Sequence, residues 1–473
     1  MQSKEALTDN NIDASDNIRN KKNKYEMDMC NGPLASKMWI YVIPLILSGI
    51  LQLAFNAIDM IVVGQFCGDE ALGSVGATSS LINLLINIFM GLSVGTNVLV
   101  GKYYGAGKEK DVSETVHTAI TASVIFGFFL AFVGFIFARP LLILMKTPED
   151  IIDLSALYVR IYFLGMPVML LYNFGSAILR AVGDTKRPLH FLFVAGILNI
   201  LLNLFFVVVL KRTVDGVAFA TIISQAVSAV LIVKCLANNE GSTHLDLRKL
   251  RIYPKKLMEM IRIGLPAGIQ GSLFSLSNVI IQSSVNSFGS TVVSGNTAAS
   301  NLEGFIYISM NSFYQTAISF TSQNLGGGKY KRINKIMIYS ISFVTLVGLS
   351  LGWLFYLMSP VLLKLYTDDP TVIEYGKIRM SVICTTYFLC GVMDAMVGML
   401  RGLGKSIMPM IVSLCGACLF RIIWILTVFK AYHSIFILYI SYPISWLITA
   451  SVHMLCFVVI KKKLENNKIM QTF

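Results

Sequence analysis

Residues 179–188 read LRAVGDTKRP, and residues 400–409 read LRGLGKSIMP. Both copies hold a leucine, an arginine, a glycine and a proline at the same spacing, 221 positions apart. A second pair of motifs keeps that offset, because GAGK at 105–108 is followed by GGGK at 326–329. An offset that persists across half of the chain indicates duplication of one unit, here of about 220 residues.

The composition places this unit in a membrane. The 473 residues are 55% apolar and only 14% charged, which is unlike a soluble chain of this length. Apolar stretches of about 20 residues, the length that crosses a bilayer as a helix, recur along the chain. The sequence predicts twelve spans, near residues 39–66, 72–100, 115–138, 152–178, 190–210, 216–237, 258–287, 293–322, 335–358, 372–399, 408–430 and 434–460.

The duplication divides these spans into two six-helix bundles. Because six is even, both copies start on the same side of the membrane, so the repeats are parallel and related by a pseudo-two-fold axis along the membrane normal. We therefore predict an all-α membrane protein with a cavity between its bundles. The predicted divisions are an N-terminal tail (1–37), a first bundle (38–237), a linker (238–257), a second bundle (258–460) and a C-terminal tail (461–473).

The lysine and arginine counts predict the orientation, since basic residues are retained on the cytoplasmic side. With the N-terminus inside, the inner segments hold 28 of these residues and the outer loops hold 6. Both termini are therefore expected in the cytoplasm, in a multi-pass protein of the plasma (inner) membrane with a mobile N-terminal tail. The net charge of +13 then reflects topology and contact with anionic membrane lipids, and no nucleic-acid partner is expected.

The repeated decapeptides fall on inner loops, before the fifth and the eleventh span. Gly183 and Gly404 are expected to permit the turn, and the proline that closes each copy is expected to start the next helix. Arg180 and Arg401 are expected to meet lipid head groups. The sequence therefore favours an orientation signal over a binding site in these loops.

Charged residues inside a span cost about 3 kcal/mol each unless they are paired, hydrated or functional. The carboxylates that fall inside predicted spans are Asp59, Glu303 and Asp394. Basic residues close enough to the outer ends to reach water are Arg160, Lys377 and Arg379. Arg421 is left as the deeply placed cation, and Glu303 is the partner expected for it, either as a static pair or as part of a transport cycle.

Asp59 has no cation at its depth in the first bundle, so it is expected to hold either a proton or a bound cation. Asn199 and Asn203 lie four residues apart, on one face of the fifth span, and Thr221 opens the sixth. Their oxygens are hard ligands of the kind that Na⁺ takes, although such residues also bond neighbouring membrane helices. Exchange of an ion at this cluster could be linked to a conformational change.

Pro44 and Pro266 lie inside the first and the seventh span, 222 positions apart. A proline inside a helix removes one backbone hydrogen bond and allows a kink, so the matched pair suggests hinges. Proline is also common in membrane helices without such a role.

Together the twelve spans, the run AIDMIVVG (57–64) with DEAL (69–72) after it, and the twin LRxxG…P loops resemble the MATE family of multidrug and toxic compound extrusion transporters. The resemblance covers residues 38–460. It implies export of amphipathic, often cationic drug-like compounds in exchange for Na⁺ or H⁺, with no other cofactor and no metal beyond that ion. Carried over by position, it implies a coupling-cation site at Asp59, Asn199, Asn203 and Thr221. The second-bundle cavity would be formed by Glu303, Asp394, Arg421 and Gln270.

This chain departs from the family pattern at two positions, and the first departure leaves the choice between Na⁺ and H⁺ open. One branch often has an aspartate where this chain has Asn203, and another uses an acidic residue in the seventh helix, where this chain offers only Gln270. Glu303 on the eighth helix could take over the latter role.

The main alternative within this fold is a flippase for lipids or lipid-linked oligosaccharides. Such a cavity should be cationic to hold a pyrophosphate, whereas the deep charges expected here are mainly acidic. An enzyme is not expected, because the five histidines are scattered over loop edges and span ends. The chain is expected to act as a monomer.

Overall fold

A computed structural model of the protein describes residues 25–145 and 147–471, and within these ranges it is almost entirely helical. We number the membrane-crossing helices α1 to α12 in chain order. They are Leu34–Phe66 (α1), Asp69–Gly105 (α2), Glu109–Leu144 (α3), Ile152–Leu164 with Met166–Ala181 (α4), Lys186–Val209 (α5), Val214–Ala237 (α6), Pro254–Asn286 (α7), Ser290–Gly326 (α8), Tyr330–Leu357 (α9), Pro370–Gly402 (α10), Ile407–Tyr432 (α11) and Ile435–Gln471 (α12).

Length and apolar composition mark most of these helices as membrane spans. Among the described residues nine single helices qualify, and the bent pair of α4 makes a tenth. The two that do not qualify are α7 and α8, which are 33 and 37 residues long and carry more polar side chains. Many of those polar residues are buried against other helices, so composition alone undercounts the spans.

The predicted architecture of two six-helix bundles is confirmed. Helices α1 to α6 form the first bundle and α7 to α12 the second, and α2 packs along both α7 and α8 across the boundary. Large apolar side chains on the outer surface, such as Phe128 and Phe132 of α3, are more than half exposed. Such a surface suits lipid tails, which replace water as the solvent around the bundles.

Local departures from the predicted spans have identifiable causes. Helix α4 bends by 47° at Gly165, where Pro167 in the first turn of the second segment lacks a backbone N–H. Helix α11 contains two π-helical turns, Leu414–Leu419 and Ile425–Phe429. Helix α12 continues beyond residue 460 to Gln471.

The N-terminal segment is the clearest difference from expectation. Residues 1–24 of the predicted tail lie outside the described residues, but residues 25–33 are docked between the bundles. Met29 is fully buried, its N–H donates to Gln323 Oε1 of α8 at 3.4 Å, and Met27 N–H donates to the Val182 carbonyl at 3.0 Å. The prediction of a mobile tail is therefore wrong for residues 25–37, because this segment bonds to both halves.

Close backbone contact joins the bundles towards the end that carries both termini. A Cβ added to Gly91 would lie 2.2 Å from the Gly268 nitrogen, and one added to Gly105 would lie 2.0 Å from the Gln323 carbonyl oxygen. Only glycine permits helices to approach this closely. The contacts close one end of the molecule and leave a space between the bundles above them.

We predict that Gly91→Ala lowers the melting temperature of the detergent-solubilised protein, since the added methyl forces α2 away from α7 at a cost of about 1–3 kcal/mol. Gly76→Ala on the same helix is the matched control, because no atom lies within 4 Å of its added Cβ. That control should be neutral or slightly stabilising through helix propensity. Equal melting temperatures for the two variants would contradict a tight α2–α7 contact.

Candidate functional site

The central cavity lies between the bundles and has a volume of about 540 Å³. It is lined by α1, α2 and α4 to α6 from the first half and by α7, α8 and α10 from the second. Its polar lining consists largely of amides and hydroxyls, including Gln52, Asn56, Asn173, Asn311 and Gln315. The cavity has the size and mixed polarity of a small-molecule site.

Arg180 and Arg401, the arginines of the repeated decapeptides, both line this cavity. The prediction that they meet lipid head groups is therefore wrong. Gly183 and Gly404 do take positive φ angles, +97° and +76°, so the expected turns form. Each arginine comes from the last turn of its helix, α4 or α10, just before that turn of the chain.

Arg401 is held in place by two neighbours. One of its terminal nitrogens donates to the Tyr314 hydroxyl, and the other donates to Gln270 Oε1 at 2.9 Å. Gln270, predicted as a cavity residue, is 5% exposed and orients this arginine. The Nε atoms of both Arg180 and Arg401 are buried without a hydrogen-bond partner among the described residues.

A second cavity of about 520 Å³ lies mainly within the second bundle. Asp394 and Arg421 both line it, as predicted residues of a second-bundle cavity. Arg421 donates to Ser445 Oγ at 2.9 Å and stacks over the Tyr442 ring, 4.1 Å from its centroid. The two cavities are neighbours, since Tyr307 lines both.

Glu303 pairs with Arg379 and not with Arg421. Arg379 donates to both Glu303 oxygens, at 2.8 and 2.7 Å, and a third donor reaches Asn296 Oδ1 at 2.7 Å. Both side chains are less than 10% exposed. The expectation that Arg379 reaches water is wrong, because the bidentate bond to a buried carboxylate holds it inside the bundle.

In the first bundle, Asp59 of α1 lies against the polar face of α5. Asn203 Nδ2 donates to Asp59 Oδ1 and also, at 3.3 Å, to Asn199 Oδ1. The two asparagines are buried and Asp59 is partly exposed. Asn203 Oδ1 has no hydrogen-bond partner among the described residues. The cluster thus presents a carboxylate and an unused amide oxygen.

The remaining predicted residues, Thr221, Pro44 and Pro266, make contacts within their own helices. The Thr221 hydroxyl donates to the Val217 carbonyl of its own helix at 3.0 Å. Pro44 and Pro266 are buried inside the continuous helices α1 and α7. The sequence did not predict that Arg180, Arg401 and Arg379 line the cavities. For Arg180 and Arg401, their repetition at one spacing was a signal that could have indicated a shared role.

The fold and its central cavity are those of a membrane transporter built from two repeats. The MatE family model matches residues 44–205 and 266–427, two segments of equal length with an offset of 222. The chain therefore belongs to the MATE family of transporters, and the predicted resemblance is confirmed.

Individual relatives agree with this assignment. The probable multidrug resistance protein YoeA of Bacillus subtilis (strain 168) is 28% identical over 384 residues, which cover 80% of this chain and 83% of that protein. An FAD transporter of Shewanella oneidensis (strain MR-1) is 23% identical over 82% of this chain and 86% of its own length. An outward-facing multidrug resistance MATE family transporter superposes with a TM-score of 0.88 at 20% identity, over 94% of this chain and all of that one, which shows the shared fold.

We predict that Glu303→Gln destabilises the protein by about 3–5 kcal/mol, because it leaves the buried Arg379 guanidinium without its counter-charge. The double variant Glu303→Gln/Arg379→Gln should recover much of that loss in thermal unfolding. Asp153→Asn, which breaks an exposed ion pair with Arg139, is the control and should unfold as the wild type does. A double variant no more stable than Glu303→Gln would argue against a compensated pair.

Proposed function

We propose that the chain is a secondary active exporter of amphipathic drug-like compounds, driven by exchange for Na⁺ or H⁺ through rocking of its two bundles. The observation that carries this proposal is the separation of two polar sites within one transporter fold. The central cavity can enclose a small molecule, while the Asp59 cluster lies outside both cavities, within the first bundle. Coupled transport requires two such sites that bias one conformational change.

The Asp59 cluster supports the role of coupling-ion site. Asp59 is partly exposed, and it shares one donor, Asn203 Nδ2, with Asn199. A proton on Asp59 or a Na⁺ between its carboxylate and the Asn203 amide oxygen would each remove the local negative charge. Thr221 Oγ1 donates its hydrogen to the Val217 carbonyl, which leaves its lone pairs available to a cation.

Relatives support small-molecule export while differing in cargo. YoeA is described as a probable multidrug resistance protein, and the Shewanella oneidensis relative is described as an FAD transporter. We propose the same class of activity here, with both termini in the cytoplasm and the compounds moved outwards. Pro44 and Pro266 would serve as hinges of the first helix in each half.

A lipid or lipid-linked oligosaccharide flippase is the second candidate, and one observation favours it. The sequence predicts a mainly acidic interior, which would not suit a phosphate-bearing cargo. In the structure, however, four arginines line the two cavities: Arg180, Arg379, Arg401 and Arg421. Cationic groups in a cavity suit a phosphate-bearing cargo.

The test uses purified protein in liposomes, with an accumulated fluorescent organic compound inside and either a Na⁺ gradient or a pH gradient applied. One gradient should drive export, and Asp59→Asn should abolish the driven component, because an amide neither takes up a proton in this pH range nor supplies a charge for Na⁺. Asp153→Asn, at an exposed carboxylate, is the matched control and should export normally. Gradient-driven export that survives Asp59→Asn would overturn the assigned coupling site.

A further inference from the structure

The charge of the central cavity is of one sign. Among the described residues that line it, Arg180 and Arg401 are charged, and no aspartate or glutamate is present. The other polar groups are amides and hydroxyls, which are neutral. A cavity lined in this way attracts anions and repels the cationic compounds expected from the family resemblance.

Neighbouring carboxylates offset only part of this charge. In the second cavity Glu303 is paired with Arg379, while Asp394 and Arg421 both line the cavity wall. Asp394 is the carboxylate that interacts electrostatically with Arg401. Four arginines and two carboxylates, Glu303 and Asp394, line the two cavities together, so the described lining residues carry a net charge of +2. Charges this deep are costly without a counter-charge, so a bound anion would stabilise them.

The donor geometry favours an oxyanion. Each guanidinium keeps a buried Nε–H without a partner among the described residues, and Arg401 as a whole is only 5% exposed. A guanidinium presents a planar set of donors that matches phosphate or carboxylate oxygens, and it stays charged at any physiological pH. The bonds from Arg401 to Tyr314 and Gln270 fix its orientation before any ligand arrives.

We propose that Arg180 and Arg401 together bind the oxyanion group, phosphate or carboxylate, of an amphipathic substrate in the central cavity. Because the two arginines occupy equivalent positions of the repeats, one from each half reaches the cavity. The apolar part of the substrate lies against Leu53, Met90 and the rings of Tyr172 and Tyr314. This inference rests on the proposed function only in taking the cavity as the substrate site.

The test is calorimetric titration of the protein in phosphatidylcholine nanodiscs with three ligands of one ring system. These are 1-naphthyl phosphate, neutral 1-naphthol and 1-naphthylmethylammonium. We expect 1-naphthyl phosphate to bind at least about tenfold more tightly than either of the others, since charge-assisted hydrogen bonds form only with the phosphate. Equal affinities for the three ligands would overturn the proposal.

The variants assign the binding to the arginines. Arg180→Gln should weaken 1-naphthyl phosphate binding at least about tenfold, with 1-naphthol unaffected, and Arg180→Lys should recover part of the loss. Arg248→Gln removes an exposed guanidinium from the linker and should bind as the wild type does. Arg401→Gln also loses contacts to Tyr314 and Gln270, so Arg180→Gln, checked for a normal melting temperature, is decisive. Unchanged binding by Arg180→Gln would sink the proposal.

Two further arms identify the source of the oxyanion and separate this proposal from ion coupling. Phosphatidic acid added to the nanodiscs should compete with 1-naphthyl phosphate if the natural cargo is a lipid head group, and should have no effect if it is a soluble compound. Asp59→Asn should keep the preference for 1-naphthyl phosphate over 1-naphthol, even though it abolishes gradient-driven export, because a shift of the conformational equilibrium changes the affinity for both ligands alike. Loss of binding in Asp59→Asn with normal binding in Arg180→Gln would contradict the assignment of the oxyanion to the arginines.

Discussion

A guanidinium inside a membrane-spanning bundle loses its hydration, and the rest of the structure must replace what water supplied. Arg379 is compensated completely, by a bidentate Glu303 and by Asn296. Arg421 is compensated in part, by Ser445 and by an aromatic ring. Arg180 and Arg401, the two in the central cavity, each keep an Nε–H without a partner among the described residues. This unused donor distinguishes them from Arg379 and Arg421, whose Nε atoms donate to Glu303 and Ser445.

The close contacts between the two bundles determine where the central cavity lies. Glycines on α2 and α7 let the two backbones meet, and Gly105 and Gly326 do the same for α2 and α8. Gln323 adds a hydrogen bond of 2.6 Å to the Ala181 carbonyl, which joins α8 to the loop that carries Arg180. The docked N-terminal segment bonds to the same loop and to Gln323. The arginines thus lie directly beside the closed end of the molecule.

Sequence reasoning predicted the fold well because span length, loop charge and a repeat offset are local or periodic properties. Helical spacing placed Asn199 and Asn203 on one face of a helix, and the family resemblance added Asp59, which does contact Asn203. It misplaced Arg379 because depth along a span does not reveal which way a side chain points. Arg180 and Arg401 were assigned to lipid for the same reason. A basic residue near a helix end can turn outwards or inwards, and only the packing of both repeats decides.

In the proposed exchange mechanism, the sign of the cargo charge also changes what the coupling ion must supply. Export of a monovalent cation moves charge against an interior-negative membrane potential, at a cost of about 2.3 kcal/mol per 100 mV. A monovalent anion held by Arg180 and Arg401 would gain the same amount on leaving. Exchange of a cationic cargo for one Na⁺ or H⁺ is electrically neutral, whereas exchange of an anionic cargo moves two charges in the same electrical sense. The Asp59 site would then work with the membrane potential, and a concentration gradient of the ion would be needed less.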